Sequence, residues 1–92
     1  MTQFTWDEPK RLINMEKHGI DFKDVVRIFD GETLTYEDTR YDYDEQRFIT
    51  IGLLGHVVVL VAHVQIGDEI RIIHARKANK STARRYFRYV GN

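Results

Sequence analysis

The sequence predicts an α+β fold: two N-terminal helices, a four-stranded antiparallel sheet and a C-terminal helix. Three observations lead there. Residues 7–30 carry two helix caps, and residues 22–29 an apolar period near 3.6. Residues 33–75 change to β-branched runs separated by glycine, and residues 79–90 return to a helical period. At 92 residues the chain makes one domain, residues 1–92, which buries roughly 60–65% of its unfolded surface.

Asp7 caps the first helix, which has Pro9 in its opening turn and Gly19 as its stop. Its apolar residues, Leu12, Ile13 and Met15, form no clean stripe. Asp21 caps a second, short helix on which Phe22, Val25, Val26 and Phe29 follow i, i+3, i+4, i+7 spacing, and Asp30-Gly31 ends it. Residues 33–37 are β-prone and lead into a charged stretch, residues 38–45. Residues 47–53, 56–64 and 69–75 then read as strands. Gly55 and Gly67-Asp68 separate them, so short turns make an antiparallel meander. The middle run is apolar on both faces and is predicted to be the central strand. Asn79 or Ser81 caps the last helix. Ala83, Tyr86, Phe87 and Val90 form its buried stripe, and Lys80, Arg84 and Arg88 line one flank.

Net charge is zero, from 14 Lys/Arg and 14 Asp/Glu, but the distribution is lopsided. Residues 1–70 hold 7 Lys/Arg against 14 Asp/Glu, a balance of −7. Residues 71–92 hold Arg71, Arg76, Lys77, Lys80, Arg84, Arg85 and Arg88 with no acid, a balance of +7. Seven acids crowd into residues 30–45, where Arg40 is the only base. A basic end of this kind points to an anionic partner. The plainer alternative is that the acidic loop folds onto the basic helix and neutralises it. With no cysteine there is no disulfide or thiol chemistry, which suits a reducing cytoplasm. The N-terminus lacks a signal-peptide pattern, and the longest apolar run, residues 57–62, is far short of a membrane span. A soluble cytoplasmic protein with no membrane attachment is expected.

The four histidines, His18, His56, His63 and His74, have no metal-ligand spacing, and no phosphate loop, dinucleotide glycine motif or nucleophile elbow is present. No metal and no cofactor are expected. His63 and His74 stand near the ends of neighbouring strands, and an imidazole is suited to moving a proton off a hydroxyl near neutral pH. Taken alone, each reads more readily as a half-exposed filler bonded to a backbone carbonyl than as a catalyst. Glu45 and Arg47 flank Gln46 and point to one side by the strand period of two, as a base beside a phosphate clamp or as a surface ion pair. Arg76 and Lys77 fall where the last strand runs into the basic helix. There a planar fork and a point charge can meet a phosphate. Tyr36, Tyr41, Tyr43 and Tyr89 are the tyrosines placed to stack on bases, whereas Tyr86 lies on the apolar stripe.

Several segments, taken together and in order, resemble the BrnT-type toxins. They are Phe4-Thr5-Trp6-Asp7-Glu8-Pro9-Lys10, Glu16-Lys17-His18-Gly19-Ile20, Asp38-Thr39-Arg40, Glu45-Gln46-Arg47-Phe48, Ile70-Arg71-Ile72-Ile73, Ala75-Arg76-Lys77-Ala78 and Arg84-Arg85-Tyr86. The resemblance covers nearly the whole chain and departs at His74, where serine is usual. It implies a RelE-like fold and the toxin of a type II toxin–antitoxin system: a metal-independent endoribonuclease that blocks translation. The implied partner is a small DNA-binding, BrnA-like antitoxin. The two would form a heterotetramer that represses its own operon and meets operator DNA only through the antitoxin.

Cleavage by the RNA's own 2′-hydroxyl needs a base, positive charge for the phosphorane and an acid for the leaving oxygen. Arg71, Arg76 and Lys77, with Arg47 beside Glu45, are the candidates for the charge. Glu45 or His63 is the expected base and Tyr86 or His74 the expected acid. Arg71, Lys80, Arg84 and Arg88 are the expected RNA-binding residues. Two other readings stay open: a non-catalytic co-repressor, favoured by the zero net charge, and a topoisomerase poison of the ParE kind.

Overall fold

In the computed structural model, which describes residues 1–91, five strands make one sheet: β1 (Gln3–Trp6), β2 (Leu34–Glu37), β3 (Phe48–Leu54), β4 (Val57–Ile66) and β5 (Glu69–Lys77). The order across the sheet is β1-β5-β4-β3-β2. Strands β2 to β5 are the expected antiparallel meander, turning at Gly55 (φ 63°) and Gly67 (φ 58°), and β4 lies at its centre. The sheet nevertheless has five strands where four are expected, and it is mixed. Strand β1 runs parallel to β5, from Gln3 opposite Glu69 to Trp6 opposite Ile72. Gln3-Phe4-Thr5-Trp6 does alternate polar and apolar, but four residues are a short signal, and their partner lies far along the chain.

Helix α1 (Glu8–His18) begins at Asp7, whose Oδ2 accepts from the Lys10 amide at 3.2 Å. Leu12, Ile13 and Met15 are exposed, and the one buried residue of the helix is Asn14. The Asn14 amide donates to the carbonyl oxygen of Ala75 at 2.8 Å and of Ile20 at 2.9 Å, and its Oδ1 accepts from the Ala75 amide at 3.1 Å. Beyond Trp6 the outer edge of β5 has no strand beside it, and Asn14 supplies the missing backbone partner. The helix is held by an amide rather than by an apolar stripe. The second helix is shorter than its apolar spacing suggests: α2 (Phe22–Val25) is one turn, continued as a 3-10 turn (Val26–Asp30). Asp21 caps it and also accepts from the Arg11 guanidinium at 3.0 Å, joining α1 to α2.

One face of the sheet packs Val59, Val61, Ile72 and Ala75 against Phe22, Val25 and Ile28. The other packs Ile49, Ile51, Val58 and Leu60 against Ala78 and Tyr86. On this second face lies helix α3 (Lys80–Val90), capped by Asn79, whose Oδ1 accepts from the Thr82 amide at 2.8 Å. Phe87, expected on the buried stripe of α3, is 50% exposed, leaving Tyr86 as the only fully buried residue of the helix.

Candidate active-site cleft

The site follows from one irregularity in β5. Val61 pairs with Ala75 and Ala62 with His74, but His63 pairs with Ile72, so Ile73 is an extra residue without a partner. Side chains of a regular strand alternate between faces, and a bulge reverses that alternation. Ile72 and Ala75, three positions apart, therefore share the α2 face. His74 and Arg76, which a regular strand would put on the face of Ile72, turn to the α3 face instead. There they line a cleft of about 500 Å³ with Ile49, Leu60 and Ala62 from the sheet, Tyr36 to Arg40 along one wall and Thr82 at the start of α3.

The wall is fixed by Asp38. Its carboxylate is 3% exposed and accepts from Arg40 Nε at 2.9 Å, from an Arg40 terminal nitrogen at 3.0 Å and from the Tyr43 hydroxyl at 2.9 Å. The Asp38 amide donates to the Arg47 carbonyl at 2.8 Å and closes the base of the loop. Arg40, ahead of Tyr43, holds the Asp38 carboxyl far below the usual carboxylate range. Arg40 thus stands at the cleft wall with its charge fixed in place, yet its side chain is 68% exposed. At the other end of this wall, an Arg85 terminal nitrogen donates to the Tyr36 hydroxyl oxygen at 3.0 Å. Burial, followed by the charges of His18, Arg76, Lys17 and Arg40, holds the His74 imidazole below its ordinary pKa. The His18 ring stands edge-on to it at 4.9 Å.

The remaining candidates are dispersed. His63 is buried on the α2 face, 2% exposed, with Nε2 at 2.7 Å from Thr50 Oγ1 and its ring between Phe29 and Phe48. It is a core histidine, remote from the cleft in orientation. Tyr86 is also buried, and its hydroxyl donates to the Glu32 carbonyl at 2.8 Å. Neither lines the cleft. Glu45 and Arg47 do lie side by side, Oε2 to Nε 3.5 Å, with the guanidinium over the Tyr43 ring at 4.2 Å. They share a smaller recess of about 170 Å³ with Arg71, Asp7 and Lys10. Lys77 alternates away from Arg76 and is exposed, so the two are not a pair. Lys80, Arg84 and Arg88 are exposed on α3. Asp38 and Arg40 are not among the site residues expected from the sequence; the signals for them are that Arg40 is the only base in an acidic stretch and that Asp38-Thr39-Arg40 is one of the segments resembling the family.

Among the described residues the acidic loop does not neutralise the basic end. Its ion pairs are internal, Asp38 with Arg40 and Glu45 with Arg47, and none of the seven cations from Arg71 onward is in an ion pair. Among the described residues there is also no group of three or more His, Cys, Asp or Glu that could hold a metal ion, and no helix long and apolar enough to cross a membrane.

With this geometry in view, residues 6–82 match the profile of a family described as the ribonuclease toxin BrnT of type II toxin–antitoxin systems. No curated protein matches the chain.

Proposed function

The chain belongs to the BrnT family of ribonuclease toxins of type II toxin–antitoxin systems, and from that premise we propose that it cleaves RNA in the cleft floored by His74 and Arg76, without a metal, through the RNA's own 2′-hydroxyl. The observation that carries this reading is the bulge at Ile73, which turns an imidazole and a guanidinium onto one face beside the anchored Arg40.

A histidine held below its ordinary pKa is unprotonated at neutral pH, the state that a general base requires. His74 takes the 2′-hydroxyl proton, and the 2′-oxygen attacks the adjacent phosphorus. Arg76 and Arg40 offset the charge that builds on the phosphorane. The 5′-oxygen leaves with a proton from the Tyr36 hydroxyl, whose oxygen accepts from Arg85 and whose own proton is free to be given. The products are a 2′,3′-cyclic phosphate and a 5′-hydroxyl. His74 is thus the base, not the acid expected from the sequence, because Glu45 and His63 face elsewhere. Loss of translation follows from loss of message.

As a type II toxin the protein has a cognate protein antitoxin. A small DNA-binding, BrnA-like partner, a heterotetramer and joint repression of the operon complete the proposal. The unpaired basic surface of α3 supports an anionic ligand for this end of the molecule.

Single substitutions separate the cleft from mere positive charge. Arg76→Ala is expected to abolish cleavage of purified RNA in EDTA and growth arrest in cells, while Lys77→Ala keeps both. Equal loss in the two variants would replace the cleft by a diffuse basic patch. Intact RNA with stalled replication would favour a topoisomerase target, and neither effect a non-catalytic co-repressor.

A further inference from the structure

Four of the five tyrosines are engaged or remote. Tyr36 accepts from Arg85, Tyr43 donates to Asp38 beneath the Arg47 guanidinium, and Tyr86 donates to Glu32. Tyr89 is exposed on α3 seven residues beyond Thr82, which puts it roughly 10 Å further along the helix from the cleft. Tyr41 is different. It is 68% exposed, and its neighbour Arg40 lines the cleft.

The ring of Tyr41 is exposed but not loose. The Arg40 guanidinium lies over one face at 5.6 Å, and the Tyr43 ring meets it at 5.8 Å and 72°. Both neighbours are themselves tied to the buried carboxylate of Asp38. A carboxylate buried to hold an exposed arginine is a costly arrangement for a surface loop. What it secures is a fixed aromatic plane, backed by a cation on one side and open to solvent, one residue from the cleft-lining arginine that the proposed mechanism sets against the phosphate. Aromatic rings and guanidinium planes are the surfaces on which unpaired bases stack.

We propose that Tyr41 is a nucleobase subsite, where an unpaired base of the RNA stacks on the exposed ring while an adjoining phosphate lies at Arg40 and Arg76. This rests on the cleft being the RNA site. Stacking is sequence-tolerant, so the subsite selects single-stranded over paired RNA rather than one base over another.

The test uses the full chain and a fluorescent 2′-O-methyl oligoribonucleotide, which binds but has no free 2′-hydroxyl to react, together with a ladder of the same oligomer carrying one abasic position. By anisotropy, Tyr41→Ala is expected to bind about 5- to 100-fold more weakly and Tyr41→Phe as wild type. At one position of the ladder the missing base should weaken wild type and Tyr41→Phe by a similar factor and leave Tyr41→Ala unaffected. If Tyr41→Ala binds like wild type, or loses the same factor on every abasic oligomer, the subsite is overturned. It is overturned as well if the variant keeps RNA affinity and loses only the antitoxin, since the ring then serves a protein partner. In those cases the cleft still stands if Arg76→Ala weakens RNA binding; a wild type that binds no RNA removes both.

Discussion

Asn14 on α1 and Ala75 on β5 are joined by two hydrogen bonds, amide to carbonyl at 2.8 Å and backbone N–H to Oδ1 at 3.1 Å. Ala75 sits between His74 and Arg76 in sequence, so the same contact that docks α1 also holds the strand segment that presents the site.

Asn14→Ala leaves the Ala75 amide and carbonyl without partners at a buried edge. Destabilisation of about 2–4 kcal/mol is expected in urea unfolding. Asn14→Asp, which keeps the acceptor and loses the donor, should cost a large part of it. A change below about 0.5 kcal/mol in Asn14→Ala would mean that water replaces the side chain freely.

His63 makes stability depend on pH. Burial pushes its pKa from 6.5 down to about 4, so between those values the unfolded chain binds a proton that the folded chain does not. Its contribution is complete above about pH 6.5 and is lost as pH falls towards 4, by an amount on the order of 3 kcal/mol. Unfolding midpoints of wild type and His63→Gln over this range should converge at low pH. Parallel curves would show that another group carries the acid sensitivity.

Asp38 and Arg40 separate anchoring from charge. Asp38→Asn weakens the hold on Arg40 while leaving a polar side chain for Tyr43, and about 1–3 kcal/mol of stability should go with it. Arg40→Lys keeps the charge and loses the fork, and cleavage should fall about tenfold while the fold is retained. Unchanged cleavage in Arg40→Lys and Arg40→Ala alike would remove Arg40 from the site.

Much of this molecule is legible where signals are local. Asp7, Asp21 and Asn79 cap their helices as expected, and Gly55 and Gly67 place the hairpins that leave β4 at the centre. What escapes the sequence depends on distant partners. Strand β1 exists because β5 offers it an edge, and Asn14 is buried because that edge continues past Trp6. The bulge at Ile73 has no local signature, since Ile72-Ile73-His74 reads as uninterrupted strand. Yet it decides which face His74 and Arg76 occupy. His63 and His74 look alike in sequence, both near strand ends. Only the pairing shows that one joins Thr50 in the core and the other faces the cleft.

The most direct test of the cleft is the pH dependence of RNA cleavage in EDTA by wild type and His74→Ala, with the product ends identified. Wild type should yield 2′,3′-cyclic phosphate and 5′-hydroxyl ends. On the acid side its rate should fall as pH drops below a midpoint lower than 6.5, where His74 becomes protonated, and His74→Ala should be slower by about 10²- to 10⁴-fold without that acid limb. Cleavage by His74→Ala at the wild-type rate, with the same profile, would contradict the assignment.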